Sequence, residues 1–500
     1  MQSSREMRWT QPRLVAAAGI VAFALVLRLI TLPHRALWLD ELLSAAFATH
    51  GPFKTLLTVL RFDVHPPLYY LQLSVWGALG HSDAWLAGNS IFWSVAAVAL
   101  LLALASRRYG FSVGAWAALL LAVSPAVLAY ADQVRMYSFI AFLMILAWDA
   151  VERWLEQPSL RTAAYLVATQ LLVTYSHAVG VLMLSGVVVY GGARLLMDRD
   201  WRRIVHWVGL EAAVLTLSIP ALLIGAVHQV PHVGVPTPTE LVATWTFLST
   251  GSPRPDGAHA LFGAAFLILL GAGLAAPKSR LHLACLVFTP ILVAAIVSYA
   301  LRPVWLERIF VPMLPLMMLG LALAANLERD RLGKALRIAT GGLAAAWLAF
   351  AVGDHSWRPR GDGFKPAADA LLAKVAPGQA IAMSESLVFW AMMRDLAGPE
   401  WGDPLREQFE TPRWTPVIKR LPSGVRTIMT PDRRPHDVRG AQAVLLDLGQ
   451  AWPDPKGDLF VVSGAMPASP PPPTAIEGRV LADRQDYERV IVQRWRRVAP

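Results

Sequence analysis

Long apolar runs recur through the first two-thirds of the chain, each closed by a short polar break. Residues 14–32, 84–105, 110–129, 134–151, 163–176, 179–196, 204–227, 259–276, 281–300, 309–327 and 336–352 form such runs. Most approach the roughly 20 apolar residues that a helix needs to cross a bilayer. Lipid offers the backbone no hydrogen-bond partner, so runs of this kind must be helical. The pattern predicts about eleven membrane helices over residues 1–353. The first run lacks a small-residue cleavage site and reads as a span rather than a signal peptide. Two further stretches, 42–48 and 68–79, are apolar but too short to cross. They read as juxtamembrane helices along the surface, with Trp38, Tyr69, Tyr70 and Trp76 as aromatic anchors.

From about residue 354 the pattern changes to charged and proline-rich, with no spanning run. Residues 364–374 and 387–396 read as helices. Residues 379–383, after the Pro377-Gly378 turn, read as a strand, and 443–448 and 459–462 as buried strands. Residues 469–473 form a stiff polyproline-like connector, and 479–498 alternate in a way that can close a sheet. The fold class predicted is an all-α polytopic membrane domain over 1–353, followed by a small α/β domain over 354–500.

Charge sets the orientation. Only 16% of the 500 residues are charged, against about 25% in a soluble domain. The formal net charge is +10, and the excess sits in short loops. Arg5, Arg8 and Arg13, then Arg107 and Arg108, then Arg153 and Arg161, open the series. Arg194, Arg199, Arg202 and Arg203, then Lys278 and Arg280, then Arg329, Arg331 and Lys334, complete it. Such clusters mark the cytoplasmic side. That places the N-terminus in the cytoplasm and, with an odd number of spans, the tail on the outer, periplasmic side of a cell inner membrane. No continuous basic stripe exists, which argues against a nucleic-acid partner. Membrane lipid and anionic lipid substrates fit the charge better. The one cysteine, Cys285, excludes intramolecular disulfides and thiolate metal sites.

The polar residues that need explaining lie on the outer side. The first outer loop reads Leu37-Trp38-Leu39-Asp40-Glu41-Leu42, then Asp63-Val64-His65-Pro66-Pro67-Leu68-Tyr69-Tyr70. Adjacent acids at a helix start are also explained by the helix dipole alone. Tyr130-Ala131-Asp132-Gln133-Val134-Arg135-Met136-Tyr137 comes next, with Arg135 at the lipid boundary. His177 occupies a short outer turn, and Arg308 opens an apolar run. Each arginine either snorkels to headgroups or faces a partner in a cavity. A guanidinium at the boundary suits a phosphate, which it holds through two parallel hydrogen bonds. Carboxylates and arginines thus gather on one face, whereas a transporter places ionisable groups near the midplane.

Asp40-Glu41, His65-Pro66-Pro67-Leu68-Tyr69-Tyr70, Arg135-Met136-Tyr137, and Arg308 with Pro312 and Pro315 resemble the dolichyl-phosphate-mannose protein mannosyltransferase superfamily. This is the GT-C fold of polyprenyl-phosphate-dependent glycosyltransferases, family 39 and its bacterial relatives. The branch most similar in motif contains the Rgt-type and aminoarabinose-type transferases of the envelope. The resemblance covers about residues 15–315 and, more loosely, 357–383, where Asp362-Gly363-Phe364-Lys365-Pro366 resembles the start of an outer domain. It implies an inverting transfer of a sugar from a polyprenyl phosphate to a hydroxyl of an envelope glycan, lipid or protein, lipopolysaccharide among them. It implies Asp40 as general base, with Glu41 orienting Asp40 or the acceptor. Arg135 and Arg308 would neutralise the leaving phosphate, and Tyr137 and His177 would contact the donor. Asp63 and His65 would shape the sugar pocket, or hold a divalent cation if one is used; no cofactor is required. The chain has no room for the MIR-type domain of the protein mannosyltransferases. His65 stands where aminoarabinose transferases usually have lysine, which leaves the sugar open. The alternative is a carrier-lipid translocase without transferase activity.

Overall fold

The computed structural model describes residues 9–30, 32, 36–49, 51–177, 179–227, 233–252, 257–327, 330–355, 362–383, 386–397, 436–438, 441–445, 453, 455–465, 469 and 471–498. Arg5, Arg8 and Arg329 lie outside this set, as do residues 229–232, 253–256, 357–361, 446–448 and 470 of the expected loops, tail motif, strand and connector.

Along the chain the helices are α1 (Gln11–Leu29), α2 (Leu39–Ala48), α3 (Pro52–Phe62), α4 (Leu68–Gly77), α5 (Asp83–Tyr109), α6 (Phe111–Val123) and α7 (Pro125–Ala131). They continue with α8 (Tyr137–Glu156), α9 (Leu160–Thr174), α10 (Gly180–Met197), α11 (Trp201–Val227), α12 (Pro238–Thr250) and α13 (Gly257–Ala275). The last are α14 (Pro277–Leu283), α15 (Thr289–Ala300), α16 (Leu314–Leu327), α17 (Arg331–Phe350), α18 (Phe364–Lys374) and α19 (Ser386–Ala397). The strands are β1 (Ala380–Met383), β2 (His436–Val438), β3 (Ala441–Leu445), β4 (Leu459–Gly464), β5 (Arg479–Tyr487) and β6 (Val490–Arg497).

Internal contacts divide the chain into two units. The membrane unit holds residues 1–33, 64–69 and 87–358, and the tail unit holds 34–63, 70–86 and 359–500. The tail unit thus takes in most of the first outer loop, a grouping absent from the sequence reading.

The chain is a multi-pass membrane protein. Among the described residues, eight helices are long and apolar enough to cross a membrane, nine with the bent pair α6–α7 taken as one span. Each falls on an apolar run read from the sequence. The other two expected spans are α8 and α9. Helix α9 has 15 residues, about 22 Å of helix against a hydrocarbon core of about 30 Å. Helix α8 carries Asp149, Glu152, Arg153 and Glu156 in its last turns. Buried Asp149 accepts hydrogen bonds from Arg107 (3.2 Å) and Arg108 (3.1 Å) at the end of α5, which makes an acid tolerable there.

Proline explains where the spans depart from straight helices. The run at 110–129 breaks at Ser124-Pro125 and turns by 63°. The run at 309–327 begins as a 3-10 segment, Glu307–Met313, containing Pro312. The run at 281–300 starts earlier, at Pro277, and carries a π turn over Ala284–Phe288 just before Pro290. The expected span at 134–151 starts only at Tyr137, because residues 132–136 form the turn that carries Arg135. The span Glu307–Asn326 is the core of the unit, 94% buried against 17% for α1 at the rim.

Two helices were read as loop. In the expected outer stretch 229–258, α12 is opened by Thr237 and Glu240, whose side chains cap each other's backbone N–H groups, and is closed by Gly251. Helix α3 lies between the two expected surface helices and starts after Gly51.

In the tail unit the strands form one mixed sheet in the order β2-β3-β1-β4-β6-β5. The central strand β1 runs parallel to both neighbours, Ala382 pairing with Val444 and Val461. Every residue of β1 and β4 is buried, so both faces of the sheet centre are covered. The stretch 479–498 closes the sheet as the hairpin β5–β6.

Candidate active site

The acid pair lies on α2, in the tail unit. Glu41 is fully buried, and its carboxylate accepts the Trp38 backbone N–H at 3.0 Å. That bond satisfies a donor the helix start leaves open. Asp40, one position earlier and on another face, stays partly exposed. The structure therefore separates two acids that the sequence presents as a pair: Glu41 is buried and caps the helix start, and Asp40 is partly exposed. Asp63 ends α3, where its N–H bonds the Val59 carbonyl at 3.0 Å.

A residue the sequence showed only as part of a tail motif completes this arrangement. Asp362 accepts the Leu39 N–H at 3.0 Å with one carboxylate oxygen, and pairs with Arg489 at 3.2 Å through the other. Its negative charge sits at the positive end of α2. Gly363 makes this possible: its φ is +83°, and an added Cβ would lie 2.8 Å from the Cβ of Tyr487. No spacing in the chain could have revealed a bond between residues 323 positions apart.

The other candidates lie in the membrane unit. The Leu68 N–H donates to the Tyr175 carbonyl at 3.0 Å and fixes the His65-Pro66-Pro67 turn beside the α9–α10 connection. The rings of His65 and His177 then lie 4.5 Å apart. A guanidinium nitrogen of Arg135 is 3.3 Å from His65 Nε2. Arginine can only donate, so Nε2 accepts and the His65 proton belongs on Nδ1. His177 Nδ1 accepts the Val179 N–H at 3.1 Å, which assigns its proton to Nε2. Tyr137, the first residue of α8, places its ring 6.5 Å from His177 and edge-on to Tyr130 at 4.9 Å.

Burial, then the charges of Arg135 and Arg308, hold the His65 imidazole well below its ordinary range. Burial, then His65, Arg135 and Arg308, do the same to His177. Both rings are neutral at pH 7. Arg308 thus belongs electrostatically to the same cluster, from the 3-10 segment that opens the innermost span. Two guanidiniums beside two neutral imidazoles offer many N–H donors and net positive charge, a combination that suits a phosphate. Tyr137 also lines a small, mostly apolar cavity of about 20 Å³ with Tyr130, Leu121, Val311 and Pro315. Among the described residues, no three or more His, Cys, Asp or Glu side chains are placed to hold a metal ion.

No family model matches the chain, and no curated protein sequence matches it. Solved structures do. ArnT from Cupriavidus metallidurans in the apo state is 14% identical and aligns with a TM-score of 0.55. The same protein bound to undecaprenyl phosphate is 14% identical, with a TM-score of 0.53. Each comparison covers 95% of this chain and 97% of ArnT. The chain has the GT-C fold. The fold implied by the sequence motifs is thereby met over nearly the whole length.

Proposed function

We propose that this GT-C chain is a membrane-embedded inverting glycosyltransferase that moves a sugar from a polyprenyl phosphate to an acceptor hydroxyl of the cell envelope. The observation that carries the reading is the cluster of Arg135, Arg308, His65 and His177. Its cationic donors adjoin, through Tyr137, an apolar cavity. The anionic head of a lipid phosphate matches the donors. ArnT, of the same fold, has been solved with undecaprenyl phosphate bound.

In the reaction an acceptor oxygen attacks the anomeric carbon from the face opposite the phosphate. The carbon–oxygen bond to the acceptor forms as the bond to the phosphate oxygen breaks, and that electron pair leaves with the phosphate. Asp40 takes the hydroxyl proton as general base. The departing phosphate gains one negative charge, which the Arg135 and Arg308 guanidiniums neutralise where it develops. Buried Glu41 acts as a positioning residue for Asp40 through its bond to Trp38. Asp63 and His65 shape the sugar pocket. The loop charges favour catalysis on the periplasmic face of the inner membrane. Most of residues 1–353 serve as the membrane domain, and 359–500, grouped with 34–63 and 70–86, as the periplasmic domain.

Purified protein offered radiolabelled polyprenyl-phosphate sugars and envelope acceptors should transfer label, and Asp40→Asn should lower the rate by about 100-fold or more. Transfer that survives Asp40→Asn would move the base role to another acid. No transfer from any donor, with carrier lipid still moving between leaflets, would leave the translocase reading in its place.

A further inference from the structure

A buried guanidinium within the membrane unit takes no part in the chemistry above. Arg28 lies in the last turn of α1 and is 1% exposed. A charge at such depth is costly unless it is partnered. Its Nε donates to Ser94 Oγ on α5 at 2.8 Å, and one terminal nitrogen donates to the Ala24 carbonyl at 2.9 Å. The terminal nitrogens also reach the carbonyls of Ala122 (3.3 Å) and Leu121 (3.5 Å).

Those last two carbonyls belong to the C-terminal end of α6. In an unbroken helix the Leu121 carbonyl would accept the N–H of residue 125. Pro125 has none. The end of α6 is therefore a set of open acceptors carrying the negative end of a helix dipole, inside a membrane protein. A fork of guanidinium donors answers both the missing hydrogen bonds and the charge. Arg28 and Pro125 are thus two halves of one device that makes a 63° bend stable at this depth.

The bend has a destination. Helix α7 runs seven residues from Pro125 to Ala131, and the next turn carries Arg135. That turn is tied down by short bonds: Ser90 Oγ donates to the Gln133 carbonyl, Gln133 Nε2 donates to the Ala129 carbonyl at 3.0 Å, and the Arg135 N–H donates to the Gln133 carbonyl at 2.6 Å. Little slack remains between the break and the guanidinium. We propose that Arg28 is a positioning residue for the anion site: by capping the open end of α6 it fixes the bend that aims α7 and the turn bearing Arg135. This role rests on Arg135 being a phosphate clamp.

The test uses the full-length protein in nanodiscs and undecaprenyl phosphate as the probe. Arg28→Met keeps bulk and removes the donors, and should raise the dissociation constant about tenfold, since an ångström of misplacement costs at least that order. Arg28→Lys keeps the charge without the fork and should recover part of the loss. In an Arg135→Met background, Arg28→Met should add less than about twofold, because it acts through the group already removed. Pro125→Ala covers the case in which Arg28→Met fails to fold. The new N–H can reach Leu121, α6 runs on, and Arg135 is displaced, so binding should weaken with no loss of helix content or melting temperature. Wild-type affinity in folded Arg28→Met and Pro125→Ala, with Arg135→Met weakened, would overturn the role of Arg28 alone. So would an Arg28→Met penalty of equal size with and without Arg135. Wild-type affinity in Arg135→Met itself would overturn the clamp reading and this role together.

Discussion

His65 and His177 face each other with neutral rings, held so first by burial and then by charges that include the Arg135 and Arg308 guanidiniums, which an anion would neutralise. A depressed imidazole binds fewer protons in the folded protein than in the unfolded chain. Its contribution to stability is therefore present above the ordinary range near pH 6.5 and is lost as pH falls through the folded value. An arriving phosphate reverses the field: it offsets Arg135 and Arg308 and draws both rings back toward protonation. Binding of undecaprenyl phosphate should then take up a fraction of a proton near pH 6.5, seen as a dependence of calorimetric heat on the buffer's ionisation enthalpy. His65→Gln keeps an acceptor for Arg135 and should reduce that uptake. Equal uptake by wild type and variant would mean that the lipid phosphate alone titrates, and that His65 does not sense it. The sequence displayed these residues as separate motifs. The Leu68–Tyr175 bond, a contact between loops far apart in the chain, helps bring the two imidazoles together.

At the scale of elements, apolar length was enough to find the spans and proline enough to explain their bends. The short outer helices were harder to see. Helix α3 has one apolar side and a polar one, and α12 is 13 residues, so neither produces the long run that marks a span. Helix α2 was visible as an amphipathic stretch, but its anchor was not. Asp362 holds the Leu39 N–H and the Arg489 guanidinium at once. Asp362→Ala should remove both and lower the stability of the tail unit by about 1–2 kcal/mol. It should also lower kcat more than KM for the donor, because α2 carries Asp40, whereas the phosphate clamp is in the other unit. Asp362→Asn keeps an acceptor for Leu39 and should lie between the two. A normal melting temperature and normal kcat in Asp362→Ala would show that α2 is held by its packing alone.

At the scale of the whole molecule, the clearest response to pH outside the spans lies in the tail unit. Its sensitive point is Asp395 on α19. Burial first, then the nearby carboxylate of Asp83, push the Asp395 carboxyl up from 3.8 to about 6, against the opposing pull of Arg394 and Lys365. Arg394 is itself committed, donating to Asp83 at 2.9 Å and to the His81 carbonyl at 3.1 Å, so its charge is shared. The sign follows from proton counts. Between pH 3.8 and about 6 the folded tail unit holds a proton on Asp395 that the unfolded chain has lost, so stability falls as pH rises through that window. Above it, the unit carries an ionised, poorly solvated acid beside another acid. Asp395→Asn removes this cost while keeping the shape. It should raise the melting temperature of the tail transition at pH 7.5, by an amount equivalent to about 1–2 kcal/mol after allowance for solvent screening, and leave it unchanged near pH 4. Scanning calorimetry of the wild type and variant across pH 4 to 8 decides the matter, because a destabilising loss of a hydrogen bond would lower the transition at every pH. A gain confined to high pH is the mark of an acid held against its charge.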